Sequence, residues 1–92
     1  MAVGATVTMT GAVGSLRWFY HEAASVANWT VARTDDGGWG LSGTVQQANT
    51  FWLSQRPLVF VVPRAKGAWR FQIITLQIEG ARLAATLGPI GA

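Results

Sequence analysis

The stretch Gln55-Arg56-Pro57-Leu58-Val59-Phe60-Val61-Val62-Pro63-Arg64 limits the fold more than any other part of the chain. Five consecutive large apolar residues, three of them valine, lie between two prolines, and an arginine stands just outside each proline. The run is too short for a core helix, and proline interrupts helices, so it reads as a strand buried on both faces. A strand of that kind sits in the middle of a small sheet or barrel. Phe60 is the expected core residue, with Val59 and Val61 covered on the opposite face.

The remaining chain alternates apolar and polar residues in short pieces. Val3 to Met9 reads as an edge strand, and Gly11 and Gly14 as the turn after it. Leu16 to Glu22 is a second strand with an aromatic residue on each face. Residues 21–27 read as strand, bend and strand, with a single helical turn as the alternative. Ala27–Thr34 and Trp39–Val45 form a hairpin around Asp35-Asp36-Gly37-Gly38, because Asp-Gly and Gly-Gly supply the positive φ that tight hairpin turns require. Gly43 falls on the inward face, where a missing side chain permits a bend or a close strand crossing. Thr50–Ser54 reads as a short strand carrying Phe51, Trp52 and Leu53. Ala65-Lys66-Gly67-Ala68 turns the chain into a long strand, Trp69–Ile78. Its apolar phase slips by one residue at Ile73-Ile74, as a β-bulge or a passage between sheets produces. Arg82–Leu87 closes the series with Leu83, Ala85 and Leu87 on one face. The expectation is an all-β fold, a single domain over residues 1–92, forming a small antiparallel barrel or sandwich of about seven to eight short strands.

The length of 92 residues fits one domain. Charged residues make up 12% of the chain, against about 25% in ordinary globular chains. Either much of the surface is uncharged Thr, Ser, Gln and Gly, or some of it is covered in an assembly, and the second is the preferred reading. The net charge is +3 without any block of like charges, so no basic tail is present. Cysteine is absent, which excludes disulfides and thiolate metal sites. No secretory leader is expected. The longest apolar run falls well short of the ~20 residues of a membrane-spanning helix, so no membrane partner is expected either.

No group of residues points to catalysis. His21 and Glu22 are neighbours on a strand and project to opposite faces, so with Ser25 they make a poor proton relay. A metal site needs three or four ligands, and the candidates are few and scattered. Asp35-Asp36 reads as turn chemistry, not as a calcium loop. The expectation is therefore a non-enzyme with no catalytic, metal or cofactor residues. Arg56, Arg64, Lys66 and Arg70 form a candidate basic patch. With Trp52 or Trp69 beside them they match the stacking and phosphate contacts of a single-strand-binding barrel, while the plainer reading has them solvating strand ends. Most of the five tryptophans are expected in the core. Trp52, Trp69 and Ile90 are candidate interface anchors.

Taken together, Trp39-Gly40-Leu41-Ser42-Gly43-Thr44-Val45, Gln55-Arg56-Pro57-Leu58, Gly67-Ala68-Trp69-Arg70 and Leu87-Gly88-Pro89 resemble short uncharacterised proteins of bacteriophage and prophage genomes. The resemblance spans roughly residues 26–89 and carries over no functional residues. It implies a virion or host-cytoplasmic setting and a virion component such as a decoration, cement, neck or tail protein. The leading expectation is a structural or interaction protein whose partners are other protein chains, in a homo-oligomer or virion assembly. The alternative is a small barrel that binds single-stranded nucleic acid.

Overall fold

The computed structural model describes residues 8–35 and 37–88. Within them run six strands, β1 (Thr8–Trp18), β2 (His21–Arg33), β3 (Trp39–Ala48), β4 (Val59–Pro63), β5 (Ala68–Glu79) and β6 (Arg82–Leu87). One short helix, α1 (Thr50–Leu53), connects β3 to β4. The strands close into an antiparallel barrel in the order β1-β2-β3-β6-β5-β4. Two three-stranded meanders thus meet along two seams. The β3–β6 seam runs from Trp39↔Leu87 to Thr44↔Arg82. The β1–β4 seam is short, with only Ser15↔Val61, Leu16↔Phe60 and Arg17↔Val59 in register. It stops there because β4 next reaches Pro63, which has no N–H to offer.

The all-β barrel agrees with the sequence, but the strand number is lower than the seven to eight expected, for two reasons. Thr50–Leu53 is helical instead of extended, because the Asn49 side chain caps its first turn. Gly11 and Gly14 lie inside β1 instead of turning the chain. Here tertiary packing overrides the glycine signal. A Cβ on Gly14 would stand 2.6 Å from Cζ of Phe60, and one on Gly11 would collide with the Trp29 indole. The glycines make room for those rings. Residues 21–33 form one strand, with a bulge where Asn28 takes φ 50 and the β2–β3 register shifts. Gly43 lies opposite that bulge; a Cβ there would be 2.7 Å from Cγ1 of Val26. The slip at Ile73-Ile74 is a bulge as well. The β5–β6 register shifts between Ile73 and Thr75, and Ile74 is pushed outward to 58% exposure. Val3 to Val7 of the expected edge strand, Asp36 and Ile90 lie outside the described residues.

A barrel has one interior, and each strand contributes alternate residues to it. From the β4 segment, Leu58, Phe60 and Val62 point inward and are buried. Phe71 and Ile73 of β5 join them, with Leu83, Ala85 and Leu87 of β6 and Leu16 of β1. Val59 and Val61 are only half-buried, on the outer face. The expected two-sided burial of this strand is thus half realised. Of the tryptophans, Trp29 alone is fully buried; its Nε1 donates to the Val13 carbonyl at 2.9 Å, and its ring meets Phe60 edge-on at 5.4 Å. No buried polar or charged residue is found among the described residues.

Two substitutions test this interior. Phe60→Ala should cost about 3–5 kcal/mol by leaving a cavity at the centre. Gly14→Ala should cost about 1–3 kcal/mol by overpacking against the same ring. Urea unfolding followed by circular dichroism measures both, and an unshifted midpoint for either variant would contradict the packing described.

Candidate functional site

One end of the barrel is built from aromatic rings. The β1–β2 hairpin reverses through Phe19 and Tyr20, with Phe19 at φ 55. The Arg17 Nη2 holds the turn by donating to the Tyr20 carbonyl at 2.8 Å. Trp18 and His21 are ladder partners flanking the turn, and their rings stack at 5.9 Å. Helix α1 is laid against this end. Asn49 Oδ1 accepts from the backbone N–H of Phe51 at 3.0 Å and of Trp52 at 3.3 Å, which orients the first turn. The Trp52 ring then lies flat on His21, with centroids 3.8 Å apart and planes 5° apart. Phe51 meets Trp52 edge-on, and Phe19 meets Trp18 edge-on. The Trp18 Nε1 donates to the Arg56 carbonyl at 3.2 Å and ties the connection after α1 to the same cluster.

The inner rings of this cluster are supported and the outer ones are open. Trp18 and Trp52 pack against the barrel core. Tyr20 is 91% exposed, Phe19 67% and Phe51 61%. The Phe19 and Phe51 rings rest edge-on against Trp18 and Trp52, which restricts their rotamers. Those two rings can therefore be buried by a partner at low entropic cost.

A groove leads away from the aromatic end along the outer face of β4. It encloses about 390 Å³. Val59, Val61 and Pro63 form its floor, and Phe19 and Pro57 close its upper end. Arg17 on β1 and Arg70 on β5 stand on its two sides, and no carboxylate lines it.

Of the candidate basic patch, Arg56 is tied to α1, while Arg64, Lys66 and Arg70 belong to the β4–β5 hairpin. Arg56 serves helix α1, with its Nη1 donating to the carbonyls of Leu53 and Gln55, both at 2.7 Å. Arg64 lies at the far turn with its guanidinium 3.9 Å from the Trp69 ring centroid, and Lys66 is exposed in that turn. Arg70 faces the groove. Among the candidate anchors, Trp52 is half-buried in the ring stack and Trp69 is partly exposed under Arg64. His21 spends its ring on Trp52, and Glu22 is exposed across the ladder from Arg17. Asp35 is exposed in the β2–β3 turn. No group of three or more metal-ligating side chains occurs among the described residues.

Phe19, Tyr20, Phe51 and Arg17 belong to the site without having stood out in the sequence. The Phe19-Tyr20 reversal contains no residue that advertises a turn. The one available signal was Asn49, two residues before Phe51, which is an N-cap residue type. No known protein family, curated protein or solved structure matches the chain.

The cap makes a local prediction. Asn49→Ala should cost about 1 kcal/mol and loosen α1, so that Trp52 leaves His21. Near-ultraviolet circular dichroism reads the ring stack directly. An unchanged aromatic spectrum in this variant would show that α1 is held by something other than its cap.

Proposed function

We propose that the chain is a non-enzymatic interaction protein that works within a protein assembly and docks through the aromatic end of its barrel. The observation that carries this reading is the exposure of Phe19, Tyr20 and Phe51 on a stacked, hydrogen-bonded support. Large aromatic residues dominate interface energetics, and contiguous exposed apolar surface marks places where partners bind. The low charge content of the chain fits surface reserved for burial. The assembly we propose is a phage virion, with the chain as a decoration, cement, neck or tail component. Support for that setting is the resemblance of residues 26–89 to phage and prophage proteins.

The test is incorporation into particles. A double variant, Tyr20→Ser with Phe51→Ser, alters exposed side chains and should cost no more than about 0.5 kcal/mol at Tyr20 and about 0.5–1.5 kcal/mol at Phe51, whose ring meets Trp52 edge-on. Particles purified from cells carrying the native genome should contain the parent chain and about tenfold less of the double variant, the loss expected when interface anchors are removed. Equal amounts of the two chains in the particles would overturn the proposal.

A further inference from the structure

The outer face of β4 is apolar where a solvent-facing strand is ordinarily polar. Val59, Val61 and Pro63 alternate along it, and no element of the described chain covers them. The ladder fixes what stands beside each. Arg17, Val59 and Gln72 form one row across β1, β4 and β5, and Ser15, Val61 and Arg70 form the next. An arginine thus lies on the β1 side of one valine and on the β5 side of the other. The two cations are set diagonally across an aliphatic floor.

We infer that this groove receives an extended, acidic segment of a partner protein, with apolar side chains directed down and carboxylates toward Arg17 and Arg70. This rests on the reading of the chain as an interaction protein and names the chemistry of the partner. Three observations select that occupant. The lining carries two arginines and no carboxylate, so the complement is anionic. The floor repeats every second residue, and an extended segment presents its own side chains with the same period. The floor is also aliphatic. Single-stranded nucleic acid needs aromatic faces on which successive bases stack, and the lining provides only Phe19. Arginine suits the role because its planar fork pairs with a carboxylate in a bidentate manner.

The experiment uses the purified full chain and fluorescence anisotropy with three labelled probes. The first is a peptide of alternating Asp and Leu, about eight residues long, enough to cover a five-residue strand at ~3.3 Å per residue. The second replaces every Asp with Lys, and the third is oligothymidylate of similar length. The acidic peptide should bind, and its affinity should fall as salt is raised. Arg70→Glu lies on the exposed face of β5 and should weaken that binding by about tenfold or more while leaving the circular dichroism spectrum unchanged. Val59→Thr is a second, charge-neutral probe of the floor and should weaken binding without changing the salt dependence. Equal binding of the acidic and basic peptides, or an Arg70→Glu variant that binds as well as the parent, overturns the inference. Tighter binding of oligothymidylate than of the acidic peptide overturns it too and assigns the groove to nucleic acid. Failure of the peptide arm alongside loss of the Tyr20/Phe51 double variant from particles removes the groove inference alone. Unimpaired incorporation of that double variant removes the interaction reading beneath it.

Discussion

The Trp29 indole lies in the space that Gly11 and Gly14 leave open, and the rest of the barrel is arranged around that contact. Burying a tryptophan removes about 150–250 Å² from water, worth roughly 4–6 kcal/mol at ~25 cal/mol per Å². The ring cannot be accommodated beside a β1 that carries side chains at those two positions. It also brings a polar N–H inside, which the Val13 carbonyl accepts, so the burial leaves no unpaired donor. Phe60 then packs edge-on against Trp29 and reaches over Gly14. One aromatic pair therefore connects β2, β1 and β4, strands from both meanders.

Much of this fold was legible in the chain because hairpins are local. Alternation located Leu83, Ala85 and Leu87, and a broken alternation located the bulge at Ile74. The failures have a common cause, which is that they depend on what lies opposite. Gly11 and Gly14 carry the same signal whether they turn a chain or make room inside a strand, and only Trp29 decides between the two. The segment Thr50–Leu53 is too short to show a helical period, so its state rests on the Asn49 cap. The apolar run in β4 suggested burial on both faces, yet a barrel offers its strands a single inside. The candidate site was less legible still. Its exposed rings come from a hairpin turn without turn residues and from α1, two segments 30 residues apart in the chain.

The arginines divide by what their guanidinium groups already do. Arg17 and Arg56 donate to carbonyls of the aromatic end and stiffen it. Arg64 covers the Trp69 face at the opposite turn. The contacts of Arg56 and Arg64 are local and structural, so the excess of basic over acidic residues in the composition overstates the charge available to a partner, whereas Arg17 donates to the Tyr20 carbonyl through Nη2 alone and also lines the groove. Arg70 has no such local duty among the hydrogen bonds and ring contacts described, and it stands beside an apolar floor.

The shortness of the β1–β4 seam bears on motion. With three residue pairs against the longer run between β3 and β6, it is the place where the barrel parts most readily. The groove spans it, with Arg17 on one bank of the seam and the floor residues Val59 and Val61 on the other. Anything seated there touches both banks and acts as a clasp. Its binding free energy becomes resistance to opening, in proportion to the logarithm of its concentration over its dissociation constant. A bound partner would thus slow amide exchange first at Ser15, Arg17, Val59 and Val61, whose N–H groups close that seam.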